Sequence, residues 1–133
     1  MMLQDTDVIS HLLRQTAPPG MRTAVLAYPP EQRFLSAITV GEIIYGFEKA
    51  GPGSAPMRAE MERAFLSAHV VLPFDDAAAR VYGAVKADLR RRNLMLDEPD
   101  LRIAAIALSR DLILATGNRR HYERIPGLRL LDW

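Results

Sequence analysis

The sequence contains no cysteine among its 133 residues, which excludes disulfide bonds and thiolate metal sites. Any metal ion must therefore be held by oxygen or imidazole ligands. The apolar runs fall far short of the ~20 residues that a membrane span requires, and the N-terminus lacks a charged segment followed by an apolar one. We therefore expect a cytoplasmic protein that is neither exported nor inserted into a membrane.

The sequence also lacks an excess of charge of either sign, since the formal net charge is only +1. The total charge therefore does not indicate a nucleic-acid partner, and the distribution of charge has to be considered instead. Arginines concentrate late in the chain, at 90–92 and 119–124, whereas acids recur singly beside apolar segments. A hydrophobic fraction of 49% with 25% charged residues is typical of a soluble globular chain, and its length fits one domain.

Several common catalytic arrangements are missing as well. There is no G-x-S-x-G segment, and the three histidines, His11, His69 and His121, are scattered along the chain, so a Ser-His-Asp assembly is unsupported. Neither a G-x-G-x-x-G nor a Walker motif occurs, and GPGSAP lacks the lysine that a P-loop needs. Nucleotide binding of those kinds is therefore not expected.

Strand-like and helix-like segments alternate along the chain. Short apolar or β-branched segments favour strands, and three-four repeats of apolar residues between them favour helices. The prolines of APPG are expected to end the first helix, and GLRLLDW is expected to form a last edge strand. This alternation predicts an α/β sandwich around a mainly parallel sheet with right-handed crossovers.

Three acids stand at comparable places in this pattern. Asp5 follows the first strand, Glu42 lies one turn into the helix after the second, and Asp100 begins the helix before DLILAT. Ligands of an open parallel sheet bind outside the carboxyl ends of its strands, and clustered carboxylates suit Mg²⁺ or Mn²⁺. The alternative is that these acids only favour helix starts through the helix dipole, and the spacing alone leaves both interpretations open.

The segment LDEPD places three carboxylates in four positions. We interpret Asp97 as the N-cap of the following helix and Glu98 as a solvated first-turn residue, and the spacing leaves the role of Asp100 open. The same question arises earlier in the chain, because Thr39 and Glu42 have the spacing of a capping box. Thr39 is therefore a candidate N-cap.

Four segments in register carry a family resemblance. They are Asp5-Thr-Asp, the Ser36-x-x-Thr-x-x-Glu-x-x-x-Gly segment, Asp100 shortly before Ile-Ala-Ala, and Thr116-Gly-Asn with its RHYERIPG continuation. With them the chain resembles the PIN-domain ribonucleases of the VapC type, the toxins of bacterial toxin-antitoxin pairs. The resemblance covers nearly the whole chain. It implies that residues 1–133 form a single PIN-like nuclease domain, a three-layer α/β/α sandwich with a sheet of about five strands.

The resemblance also implies an activity and partners. It implies Mg²⁺- or Mn²⁺-dependent endonucleolytic cleavage of RNA by a metal-activated water, inhibition of translation, and neutralisation by a cognate VapB-like antitoxin. A homodimer is expected for the same reason. The target RNA stays open, because RNA is chosen mainly by shape and exposed single strands and neither arginine cluster encodes a sequence preference.

The resemblance assigns roles to individual residues. Asp5, Glu42 and Asp100 fall on the metal-binding acids of the family, and Asn118 occupies a fourth catalytic position that is often acidic. Hydrogen bonds that orient ligands or water are expected from two threonines, Thr6 and Thr116. Apart from the resemblance, contacts with the RNA backbone are expected from the two basic clusters near these acids, although the triplet at 90–92 could equally be a solvated helix end. The arginines concerned are Arg90, Arg91, Arg92, Arg119 and Arg120.

A second class of function competes with the nuclease. An α/β module of this kind could bind RNA or a partner protein through its arginines without cutting anything, and its acids would then only cap helices. Dependence on divalent ions separates the two classes, because a nuclease stops in EDTA whereas a binder leaves RNA intact in Mg²⁺.

Overall fold

The computed structural model describes residues 1–133, in which strands alternate with helices as the sequence predicts. The strands are β1 Met2–Gln4, β2 Arg33–Ser36, β3 Val71–Leu72 and β4 Ile113–Ala115. The helices are α1 Thr6–Leu13, α2 Pro19–Leu26, α3 Ala37–Ala50, α4 Ala55–Met61, α5 Asp76–Arg91, α6 Glu98–Ser109 and α7 Arg119–Tyr122. None of these helices combines the length and the apolar character needed to cross a membrane.

The sheet is entirely parallel, with the strand order β3-β2-β1-β4. It has four strands where about five were expected, because the C-terminal segment adds only a single parallel bridge between Leu114 and Leu130. The carbonyl oxygen of Leu131 accepts from the Arg119 side chain over 2.8 Å. Beyond the bridge this carbonyl is bound by a side chain, and no further ladder pair extends the C-terminal segment into the expected edge strand.

Helices cover both faces of the sheet. Side chains of α5 and α6 pack on one face, in a core that includes Leu3, Ile103 and Leu114. Helices α1 to α4 cover the other face through two further apolar clusters that include Ile9 and Leu35. All three residues of β1 are therefore buried, as parallel strands with two covered faces usually are.

The start of α3 differs from the prediction. Ser36, not Thr39, is the N-cap, and its hydroxyl accepts from the Thr39 backbone N–H over 3.0 Å. Both serine and threonine are good N-cap residues, but Ser36 is the last residue in the extended conformation and α3 begins at Ala37. The expectation for APPG was also wrong, since α1 has already ended at Leu13 and Pro19 begins α2. Proline suits a first helical position because the N–H that it lacks has no partner there.

The start of α6 also differs in part. Asp97 occupies the predicted N-cap position, but its side chain makes no capping hydrogen bond. Glu98 is not simply solvated, because its carboxylate accepts from Lys86 Nζ over 2.6 Å and from the Tyr82 hydroxyl, both on α5. Asp97 therefore stands at the N-cap position without forming a capping hydrogen bond. Glu98 connects α6 to α5 through its carboxylate.

The strand order determines where a ligand site can form. Strands β1 and β4 are neighbours in the sheet, although β2 and β3 come between them in the sequence. Their carboxyl ends therefore lie side by side at a topological switch point. Helix α6 leads through a tight turn into β4. It therefore begins at the carboxyl edge of the sheet, which places its first turn beside the ends of β1 and β4.

The two N-cap positions make a matched test. We expect Ser36→Ala to lower the free energy of unfolding by about 1–2 kcal/mol, because the Thr39 N–H loses its acceptor at a buried position. Asp97→Ala removes no capping hydrogen bond, so its loss should stay below about 0.5 kcal/mol. Urea unfolding followed by circular dichroism measures both, and equal losses would contradict this account of the helix starts.

Candidate active site

Asp5 lies where β1 ends and is held from several directions. Its backbone N–H donates to the Ala115 carbonyl over 2.9 Å, which joins it to β4. Its carboxylate accepts from the Thr6 N–H over 2.8 Å, which caps α1, and from the Thr116 hydroxyl over 2.8 Å. The side chain is buried, so this carboxylate is fixed in both position and orientation.

The charge of Asp5 is poorly compensated by the chain itself. Burial, followed by the negative charge of Asp7, raises the pKa of the Asp5 carboxyl to about 7, and Asp100 adds to the shift. Hydrogen bonds from Thr116 and Thr6 act in the opposite direction. A cation bound here would relieve this repulsion.

Glu42 approaches the same edge from α3. Its Oε1 accepts from the Thr6 hydroxyl over 2.7 Å, and the same hydroxyl lies 3.1 Å from Thr39 Oγ1. Thr6 therefore connects the start of α1 to α3 and holds Glu42 through one of its two carboxylate oxygens.

Asp100 stands in the first turn of α6 and is half-buried. Burial raises the pKa of its carboxyl, whereas Tyr122 and His121 act to lower it. Its Oδ2 lies 3.6 Å from Nδ1 of His121. The charge of Asp100 in turn raises the pKa of the Asp5 carboxyl, so these two acids lie close enough to interact.

The loop after β4 completes this edge. Asn118 donates its backbone N–H to the Thr116 hydroxyl oxygen over 3.0 Å, and its side-chain Nδ2 lies 2.7 Å from His121 Nδ1. Thr116 thus links Asn118 to Asp5. Both threonines expected to orient ligands contact a predicted metal-binding acid: Thr6 contacts Glu42, and Thr116 contacts Asp5.

The donor set fits a hard divalent cation by its chemistry. Carboxylate oxygens are the preferred ligands of Mg²⁺ and Mn²⁺, and the raised pKa of Asp5 shows that negative charge is crowded here. No three His, Asp or Glu side chains of the chain stand close enough to form a metal-binding group by themselves. Asp100 acts on the charge of Asp5, whereas Glu42 is connected to the start of α1 through Thr6.

The five predicted RNA-binding arginines fall into two groups. Arg119 donates to the Leu131 carbonyl and pairs with Asp132 over 3.0 Å, and Arg92 contacts Asp88 and the Arg124 carbonyl. These two organise the C-terminal segment and the end of α5. The remaining three are exposed at the surface: Arg90, Arg91 and Arg120.

Three residues at this edge were not singled out from the sequence. Asp7 accepts the Gly117 N–H over 2.8 Å and so holds the loop after β4 against α1. His121 lies between Asn118 and Asp100, and Tyr122 is fully buried beneath them. The sequence contained only weak signals for them. Asp7 is a second acid in the first turn of α1, and Tyr122 is an aromatic residue within an otherwise polar segment.

Comparisons with known proteins agree with this architecture. A family model described as PIN domain matches residues 2–128. The chain is 41% identical over 100 residues to the tRNA(fMet)-specific endonuclease VapC of Salmonella typhimurium. The aligned region covers 74% of each of the two chains. It is 39% identical over 101 residues to ribonuclease VapC2 of Haemophilus influenzae, with the same coverage of 74% on both sides.

A solved structure shows the same fold. The crystal structure of DNA-bound VapBC from Salmonella typhimurium matches with a TM-score of 0.87 and 33% sequence identity, covering 100% of this chain and 99% of that chain. A parallel α/β domain with crowded carboxylates at the switch point of its sheet is thus the class that fold and site define. The chain belongs to the PIN domain family, within its VapC-type ribonucleases, the toxins of toxin-antitoxin pairs.

The contact between Asp7 and Gly117 explains why glycine stands in this loop. A Cβ on Gly117 would lie 2.6 Å from Asp7 Oδ2. The Asp7 carboxylate would have to turn away and lose its hydrogen bond with the Gly117 N–H, so we expect Gly117→Ala to lower the free energy of unfolding by about 0.5–1.5 kcal/mol. Gly83→Ala is the matched control, since nothing lies within 4 Å of its added Cβ in α5 and a helical alanine should stabilise by about 0.5–1 kcal/mol. Urea unfolding measures both, and a wild-type stability for Gly117→Ala would refute this explanation.

The crowded charge at Asp5 predicts a pH-dependent stability. Folded Asp5 has a pKa of about 7 against an ordinary value of 3.8, so the folded chain binds more protons than the unfolded chain between these values. In EDTA the free energy of unfolding should therefore fall as pH rises through this window. Asp5→Asn keeps a capping oxygen without the charge, so it should raise the melting temperature at pH 8 by roughly 3–6 °C and not at pH 4. A variant that melts below the wild type at pH 8 would contradict this prediction.

Proposed function

We propose that this chain hydrolyses RNA at the edge formed by Asp5 and Asp100, with Mg²⁺ or Mn²⁺ as the cofactor. The observation that carries the proposal is the proximity of these two acids at the switch point of the sheet, where the charge of Asp100 adds to the burial that raises the pKa of the Asp5 carboxyl. A stable protein tolerates such crowding where a cation compensates it. Glu42 and Asn118 stand at the same edge and complete the proposed site.

The proposed roles follow from the contacts. Asp5 and Asp100 would hold the ion, with Glu42 as a further carboxylate. When bound, a divalent ion at such a site lowers the pKa of a water and neutralises charge on the scissile phosphate. Thr116 fixes one oxygen of Asp5, and Thr6 fixes one oxygen of Glu42. Asn118 contributes an amide to the same edge without adding charge.

Binding of RNA is proposed to depend on the exposed arginines. Arg90 and Arg91 end helix α5. Arg120 is the second residue of helix α7, which begins after Asn118. Their guanidinium groups are free to contact phosphate oxygens, which would orient the RNA backbone without selecting its sequence. Arg92 and Arg119 stay predicted contacts, and their present hydrogen bonds to backbone carbonyls would have to be shared or exchanged.

Substrate and partner are proposed from the relatives. The relative of 41% identity is named as specific for tRNA(fMet), so initiator tRNA is the first substrate to test. The solved structure from Salmonella typhimurium is a VapBC complex, and we propose a VapB-like antitoxin as the partner that restrains this toxin. The expected homodimer stays a prediction.

Cleavage of initiator tRNA in Mg²⁺ tests the proposal directly. Purified wild-type chain should cut this RNA, and EDTA should stop the cut. Asp100→Asn and Asp5→Asn each remove a charged ligand, so we expect a loss of at least about 100-fold in rate. Gel electrophoresis of end-labelled RNA measures the rates, with elongator methionine tRNA beside it to test selectivity.

The matched control removes an acid outside the site. Asp76→Asn breaks only an exposed ion pair with Arg80, so its rate should equal that of the wild type. If Asp100→Asn cuts RNA as fast as Asp76→Asn, the nuclease site is misplaced. If the wild-type chain binds RNA in Mg²⁺ without cutting it, the chain is the non-catalytic binding module.

A further inference from the structure

Tyr122 is a buried residue beside the proposed ion site, and its polar atom has no assigned task. It ends helix α7, and its side chain is fully buried in the core formed by β1, β4 and α6. Its hydroxyl is buried as well and completes no hydrogen bond of normal geometry. Leaving a buried hydroxyl unpaired costs roughly 1–3 kcal/mol, so phenylalanine would be the more favourable residue for packing alone.

The surroundings of this hydroxyl are acidic. The negative charges of Asp5 and Asp100 both raise the pKa of Tyr122, after the larger effect of burial. In return Tyr122 is the strongest influence that lowers the pKa of the Asp100 carboxyl. Tyr122 also follows His121, whose Nδ1 lies 3.6 Å from Asp100 Oδ2, and its ring is packed in the core, so the phenol approaches this acidic edge from the core side.

The two carboxylates differ in how well they are supplied with donors. Asp5 accepts from Thr6 N–H and from Thr116, each over 2.8 Å. Asp100 has only His121 at 3.6 Å, which exceeds normal hydrogen-bond length. A hydrogen bond from the Tyr122 hydroxyl would therefore add more to the orientation of Asp100 than to that of Asp5.

We propose that the Tyr122 hydroxyl is a positioning donor for Asp100: it holds one carboxylate oxygen from the core side, so that the other faces the ion. This inference rests on the proposed function, because it assumes that Asp100 is a metal ligand. Tyr122 touches neither the substrate nor the ion and acts through Asp100. Partners of this kind fix the orientation of a ligand, and their loss typically weakens metal binding by about 10–100-fold.

Binding of Mn²⁺ to the chain without RNA tests the inference. Tyr122→Phe keeps the ring and removes only the hydroxyl, so we expect an unchanged or higher melting temperature in EDTA and a Kd for Mn²⁺ about tenfold weaker. The electron paramagnetic resonance signal of free Mn²⁺ measures the Kd. Tyr82→Phe is the matched control, because its hydroxyl contacts Glu98 and Lys86 outside the site, and its Kd should stay within about twofold of the wild type.

A double-mutant cycle shows whether Tyr122 acts through Asp100. In an Asp100→Asn background, Tyr122→Phe should weaken Mn²⁺ binding no further, because the carboxylate that it positions is gone. Cleavage provides a second measurement: Tyr122→Phe should need about tenfold more Mg²⁺ for half-maximal rate, and its rate at saturating Mg²⁺ should approach that of the wild type.

The outcomes separate this inference from the proposed function. If Asp100→Asn weakens Mn²⁺ binding and folded Tyr122→Phe does not, the positioning role is wrong and the nuclease site stands. If Asp100→Asn leaves the Kd for Mn²⁺ unchanged, the proposed ion site fails and this inference fails with it. An equal loss from Tyr122→Phe with and without the Asp100 carboxylate would also overturn the positioning role.

Discussion

Two hydrogen bonds join Asp5 to the end of β4, and both the sheet and the site depend on them. One runs from the Asp5 N–H to the Ala115 carbonyl, and the other from the Thr116 hydroxyl to the Asp5 carboxylate. Asp5 and Thr116 are 111 positions apart in the sequence, so these bonds join distant parts of the chain where β4 adds to β1. They also hold a carboxylate where little water reaches it. The contact that joins β1 to β4 therefore also creates the unusual electrostatics of the site.

The architecture could be predicted because its causes are local. Alternating periodicities specify strands and helices, and a parallel sheet brings strand-to-helix junctions such as Asp5 to one edge. Helix boundaries were less predictable, because Ser36 and Thr39 are both able to cap and only the backbone conformation decides between them. The capping-box spacing of Thr39 and Glu42 was misleading for a related reason. The Glu42 carboxylate accepts from Thr6, which lies 36 positions away, and no local pattern contains that contact.

The fine structure of the site could not be predicted, because it depends on contacts between segments that are remote in sequence. In the sequence Asp7 is only an acid in the first turn of a helix. The fold shows that its carboxylate accepts the backbone N–H of Gly117. The arginines show the same limit, since Arg119 and Arg120 are neighbours in sequence with different surroundings. Arg119 is bound by the C-terminal Asp132, whereas Arg120 is exposed. The position of the chain end, rather than the arginine run, decides which guanidinium stays free.

The crowding of charge at this edge also bears on Asn118. A small domain is stable by only about 5–15 kcal/mol, and Asp5 already carries the repulsion of Asp7 and Asp100 in addition to its burial. An acid at position 118 would add a further negative charge to the loop that Thr116 ties to Asp5. The amide adds none, and it interacts with His121 instead. Asparagine at this position therefore limits the repulsion that the chain must tolerate without a cation, while it keeps a polar group at the edge where Asp5 and Asp100 meet.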